Sequence, residues 1–317
     1  MKKFLFLGIA ATAMLASCTN DEMVEMNPQN AIGFETFVDK STRATDVTED
    51  NLNKFKVWAY QESTPILKGE EITKSGDDWG YTNTQYWVAN QEYNFHAIAP
   101  VTCTTNDSYT YNGASAAPSI EFTNGAGQTD LIYAGVFDKK YTDVSKAEKV
   151  AFTFNHLLSR VRFNFTESFA NDQITVAVSD LKISGATSEG TYNGSEWASE
   201  STPKTTTYSF DGDHTTSWTT NAISNHLYFI PTTQDFTISF TVTAYQAGEV
   251  FATKNHSVDI NGQKMDAGSS YEYKLDFNAE NVSEGTLYPI EFTVTEVTEW
   301  DNENWITIPE VNKNSFE

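Results

Sequence analysis

The residue whose setting most plainly invites covalent chemistry is Cys18, which follows Leu15-Ala16-Ser17 at the end of an apolar stretch from Phe4 to Ala16. Lys2 and Lys3 give that stretch a basic start, and it is shorter than the roughly 20 helical residues that cross a bilayer, so residues 1–17 read as an export signal. Small residues directly before a cysteine form a lipobox-like site, at which the thiol is acylated and the chain cut to begin at Cys18. A plain secretory signal cut near Ala16 is the alternative. With acyl chains on Cys18, the polar, acidic run Thr19 to Asn30 becomes a tether to a membrane surface. Cys103 then has no intramolecular disulfide partner and reads as a small packing residue.

Other constellations that could do chemistry fall short. His96, His156, His214, His226 and His256 are scattered, with no His-x-x-x-His or Cys-x-x-Cys spacing to clasp a metal. Gly125-Ala126-Gly127 lacks the third glycine and the helix that a phosphate cradle requires, and no Gly-x-Ser-x-Gly elbow offers a serine nucleophile. Asp77-Asp78 beside Trp79 could be drawn as a carboxylate and sugar platform, but adjacent carboxylates near a glycine read as a solvated turn. No metal, cofactor or catalytic residue is expected, and the chain is not read as an enzyme.

The elements that would position any site are strands. Among 317 residues, aromatics make up 14% and charged residues only 20%, a balance that favours strands and turns. The net charge of -23 would repel phosphate backbones, which excludes nucleic acid as a partner. Ile32, Phe34, Thr36 and Val38 alternate with Gly33, Glu35, Phe37 and Asp39, the period of a strand with one apolar face. Further strand-like runs span 55–60, 85–88, 93–99, 119–122, 131–136, 150–154 and 159–165. A second series spans 174–183, 227–230, 236–245, 250–258, 271–277 and 289–297. Asn112-Gly113, Asn124-Gly125, Asn193-Gly194, Asp211-Gly212 and Asn261-Gly262 punctuate them as tight-turn dipeptides. The expected fold is all-β, with two sandwich-like domains meeting near 168–173.

Several segments in order resemble the Bacteroidetes fimbrillin family, the subunits and anchors of type V pili. They are the lipobox at Cys18, Ile32-Gly33-Phe34 with Ser41-Thr42-Arg43-Ala44, Asp130-Leu131-Ile132-Tyr133-Ala134, and Phe152 to Val161. Tyr228-Phe229-Ile230-Pro231, Ala267-Gly268 before Tyr271-Glu272-Tyr273, and Val297-Thr298-Glu299-Trp300 complete the series. The resemblance implies two tandem transthyretin-like β-sandwich domains. Their expected boundaries are a signal peptide over 1–17, a tether and removable first strand over 18–43, sandwiches over 44–170 and 171–300, and a tail over 301–317.

The same resemblance implies an outer-membrane lipoprotein precursor whose first strand is removed by an arginine-specific protease, for which the matching bond is Arg43-Ala44. The residues point to the same bond. Of the three arginines, Arg160 and Arg162 lie in an apolar alternating run, whereas Arg43 sits in a polar stretch. Removing 18–43 takes Ile32, Phe34 and Val38 from a sheet and leaves a groove worth several kcal/mol at roughly 1.5–3 kcal/mol per side chain. In the family another pilus subunit's extended segment fills that groove. Here Asp301 to Glu317, at about 3.3 Å per residue, would reach roughly 56 Å. Trp305, Ile306 and Ile308 form the candidate donor strand; an edge strand on the chain's own domain is the other reading. A lipid-retained anchor never cut at Arg43, and a lipoprotein that captures a host or glycan ligand through Trp79 and Trp87, are the alternatives to a polymerising subunit.

Overall fold

The computed structural model describes residues 30–38, 47–101, 109–111, 119–125, 129–169, 173–198, 202–282, 293–297 and 306–307. In chain order the early strands are β1 (Phe34–Val38), β2 (Lys54–Gln61), β3 (Thr64–Ser75), β4 (Asp78–Gly80), β5 (Glu92–Ala99), β6 (Tyr109–Tyr111), β7 (Ile120–Thr123), β8 (Ile132–Lys140) and β9 (Val150–His156). Then follow β10 (Ser159–Glu167), β11 (Ile174–Thr187), β12 (Glu189–Tyr192), β13 (Thr205–Ser209), β14 (His214–Ser217), β15 (Ala222–Ile223) and β16 (Leu227–Phe229). β17 (Thr233–Gln246), β18 (Glu249–Lys264), β19 (Ser270–Phe277), β20 (Thr293–Val297) and β21 (Ile306–Thr307) close the series, with one helical turn α1 (Ala279–Val282). The chain is all-β, as its composition and period-2 runs require.

Four sheets gather these strands. The first has the order β1-β9-β8-β5-β2-β3-β4, and β1 is its edge. The second runs β15-β10-β19-β20-β21 with β16 beside β10, the third β13-β11-β17-β18 with β14 beside β11, and the fourth β12-β7-β6. Apolar side chains on alternate residues fill three clusters. One lies within the first sheet system, around Phe55, Phe95, Phe152 and Phe154. Another lies between the second and third sheets, around Phe163, Phe165, Phe240, Tyr273 and Phe277. A third, which includes Ile98, Phe122, Tyr133, Leu157, Leu158, Trp197, Tyr228 and Ile230, joins strands from both halves of the chain. β5 reads as a continuous buried run because its two faces serve different clusters: Tyr93, Phe95 and Ala97 face the first, and Ile98 the third.

Several expectations change here. β9 and β10 are separated only by Leu157 and Leu158 yet join different sheets. β10 pairs in parallel with the distant β19, whereas the fourth sheet joins β6 and β7 to β12 from beyond that point. Residues 85–88 form no strand; Tyr86 makes an isolated bridge to Ala31. Asn261-Gly262 is no hairpin turn. It lies inside β18, where the pairing with β17 is irregular between Gln234 and Phe236, and the Gly262 N–H donates to Asp235 at 2.6 Å. The β17–β18 turn is Ala247-Gly248, both at positive φ as a two-residue hairpin requires. β3 and β12 to β15 carry too weak an apolar alternation to be read from sequence.

Two histidines in the later core make it acid-sensitive. The Nε2 atoms of His214 and His256 are buried with no hydrogen-bond partner among the described residues. Burial, and secondarily the Lys254 ammonium, lowers His256 to about 4; burial also lowers His214, against a smaller opposing effect of Asp213. In this window the unfolded chain binds more protons than the folded one, so stability present above about pH 6.5 is lost as pH falls toward about 4. Urea midpoints at pH 7.5 and 4.5 are expected to separate less in His256→Gln than in the unaltered protein.

Candidate functional site

The site is the seat of β1. This strand lies parallel to β9, with Phe34 opposite Val150, Thr36 opposite Phe152 and Val38 opposite Phe154. Ile32, Phe34, Thr36 and Val38 point inward and are buried, whereas Phe37 points outward and is 55% exposed. Phe34 is the anchor. Its ring stacks on Phe152 at 5.7 Å and meets Tyr81 at 5.3 Å, Phe95 at 6.3 Å and Phe55 at 6.4 Å. An edge strand thus carries an aromatic side chain at 1% exposure into the middle of its sandwich core.

Groups outside the ladder fasten the strand along its length. The Gly33 carbonyl accepts from Val150 N–H at 2.8 Å, so the odd-numbered residues of β1 face β9. Even-numbered residues turn their backbone away, and other partners meet it. Ile32 N–H donates to the Gln85 carbonyl at 2.8 Å, and the Tyr81 hydroxyl donates to the Ile32 carbonyl at 2.9 Å. At the far end Glu49 accepts from the Thr36 hydroxyl at 3.0 Å and from Val38 N–H at 3.2 Å. The Lys149 stem lies against Gly33, where an added Cβ would come within 3.3 Å, and its ammonium donates to Asp78 at 3.0 Å. The chain after the strand is held as well. Asp130, buried beside His156 Nδ1 at 3.1 Å, accepts from Val47 N–H at 2.8 Å.

Of the residues expected at the site, Ile32, Phe34 and Val38 come together in this seat. Cys18, Arg43, Ala44, Trp305 and Ile308 lie outside the described residues. Ile306 and Thr307 form a two-residue strand on the chain's own second sheet, opposite Glu296 and Thr295. Arg160 and Arg162 are both engaged within β10: Arg160 bonds Ser270, and Arg162 donates to the buried Glu272 at 2.7 Å. The sequence showed no sign of Glu49, Tyr81 or Lys149, because single polar residues in loops carry no periodic pattern. The glycan-capture alternative required Trp79 and Trp87 at the surface, and neither is exposed. Trp87 is buried against Tyr93 and Tyr141, and Trp79 packs on Phe55 at 4.8 Å beneath Lys74. Among the described tryptophans, Trp218 is the exposed one, at 59%.

No group of three or more His, Cys, Asp or Glu side chains among the described residues is placed to hold a metal. Fold and site together define a structural β-sheet protein whose distinguishing feature is an edge strand set into its own core. A sequence model of the fimbrillin-like family matches residues 42–299, and the chain belongs to that family, one of structural fimbrial subunits and not of enzymes. Fimbrium subunit Fim1C of Phocaeicola vulgatus is 29% identical over 356 aligned positions, covering 98% of this chain and 88% of that protein. The fold is similar to the crystal structure of a fimbrial protein from Bacteroides vulgatus, with a TM-score of 0.62 at 17% identity over 85% of this chain and 99% of that one. It is also similar to a candidate cell adhesion protein from Bacteroides uniformis, with a TM-score of 0.50 at 19% identity over 86% and 99% of the two chains.

Proposed function

We propose that this chain is the precursor of a cell-surface fimbrium subunit, lipidated at Cys18 on the outer membrane, cut between Arg43 and Ala44, and polymerised by strand exchange. Two sandwich units, one built on the sheet of β1 and the other on the sheets of β10 and β11, form its body. The observation that carries this reading is the placement of β1: an edge strand, joined to the body through residues 39–46, whose buried face completes the first core. One cut in that connection frees β1 from the covalent body, and its loss uncovers the β9 edge together with the pockets of Ile32, Phe34, Thr36 and Val38. The engagement of Arg160 and Arg162 in β10 supports Arg43 as the bond that an arginine-specific protease reaches. A neighbouring subunit's tail, in which Ile306 and Thr307 make two pairs with their own sheet among the described residues, then supplies the replacement strand.

Treating the purified precursor with an arginine-specific protease is expected to release a fragment ending at Arg43 and to yield SDS-resistant oligomers. An uncut, monomeric product would overturn this reading. Adhesion to a host or glycan ligand is a second reading, favoured by the exposure of Trp218; loss of glycan-array binding in Trp218→Ala tests it.

A further inference from the structure

The geometry of the β1 seat assigns a register to the incoming strand, and this inference rests on the strand-exchange reading above. We propose that the tail of a second copy enters parallel to β9 with Trp305 in the Phe34 pocket, Thr307 against Glu49 and Pro309 at the place of Val38. The seat makes four successive inward demands: an aliphatic group at Ile32, an aromatic ring at Phe34, a hydroxyl at Thr36 and a branched side chain at Val38. Phe34 is ringed by four aromatic side chains, and a tryptophan satisfies the same edge and face contacts. Glu49 accepts from the Thr36 hydroxyl, and a threonine two residues after the aromatic restores that bond.

Proline decides between the registers. At the Val38 position the backbone N–H points away from β9 and meets only Glu49, so Pro309 there removes no ladder hydrogen bond. Three other registers instead turn Ile306 and Ile308 inward. Placing Ile308 in the Phe34 pocket sets Pro309 at the position of Glu35, whose N–H faces β9, and brings Glu310 to Thr36 against Glu49. Placing Ile306 in the Phe34 pocket puts Pro309 at the position of Phe37, whose N–H faces β9, and brings Glu310 to the Val38 pocket against Glu49. Placing Ile308 at Val38 leaves Asn304 to fill the aromatic pocket. In the proposed register Ile306 and Ile308 take the outward positions of Glu35 and Phe37, the latter already apolar and exposed. Glu303 would fall at the buried Ile32 position, so the inserted strand begins at Asn304 and leaves that end of the seat to the receiving chain.

Cysteine pairs on the outward face test the register without disturbing the core. Thr153 is exposed and lies opposite Phe37, so in the proposed complex it lies opposite Ile308 of the donor. In a Cys103→Ser background, protease-cut filaments of Thr153→Cys with Ile308→Cys are expected to give a ladder of disulfide-linked subunits on a non-reducing gel. Thr153→Cys with Thr307→Cys should give none. Crosslinking through Thr307→Cys instead, or through neither, overturns the register. Filaments that still assemble in that case leave strand exchange standing, whereas their absence fails the underlying proposal as well.

Discussion

Phe34→Ala is expected to destabilise the intact precursor by about 3–5 kcal/mol, the range for deleting a fully enclosed phenylalanine. The residue lies on an edge strand, where substitutions are usually mild, yet its ring is enclosed by Phe55, Tyr81, Phe95 and Phe152. Truncation opens a cavity that the sandwich cannot close, because β2, which carries Phe55, is fixed between β3 and β5 by its own ladders. Glu35→Ala on the same strand, facing solvent, should shift stability by no more than about 0.5 kcal/mol. Urea unfolding followed by fluorescence reports on the right core, since Trp79 and Trp87 both pack in it. Equal effects of the two substitutions would mean that β1 does not complete the core.

Arg162→Leu should cost about 3 kcal/mol or more through a different mechanism. Glu272 is almost fully buried, and Arg162 holds it at 2.7 Å while Asn164 donates to its other oxygen at 3.1 Å. Removing the guanidinium leaves a buried carboxylate with Asn164 and the more distant Lys274, at 3.7 Å, as compensation. Replacing both partners, Arg162→Leu with Glu272→Leu, is expected to recover much of the loss, because the uncompensated charge disappears with the second change. Thermal or urea unfolding of the single and double variants decides it. A double variant no more stable than Arg162→Leu alone would mean that the cost is lost packing and not an orphaned charge.

How much of this was legible beforehand depended on the kind of signal each residue carried. The inward face of β1 was readable, since Ile32, Phe34, Thr36 and Val38 repeat at period 2 and a one-residue slip would expose all four. The strands that became β2, β5, β9, β10, β17 and β19 carry similar alternation or continuous apolar runs. The place of β10 was not readable, because its partner β19 lies about a hundred residues further on and nothing local encodes a parallel pairing at that distance. The same holds for the fasteners of β1. Glu49 and Lys149 reach the strand across space from loops, and a lone carboxylate or ammonium in a polar segment looks like any solvated charge. Trp79 and Trp87, which the alternative of a glycan-binding surface required at the surface, instead fill the core around Phe55 and Tyr93, the use a sandwich makes of most of its large aromatic side chains.

The proposed processing would give β1 two functions in succession, first as part of the fold and then as a removable plug. That account is tested most directly by mass spectrometry of the chain recovered from assembled surface filaments. It predicts an amino terminus at Ala44, with the fragment carrying Phe34 absent from the filament. Filaments built from chains that begin at Cys18 and retain β1 would contradict it.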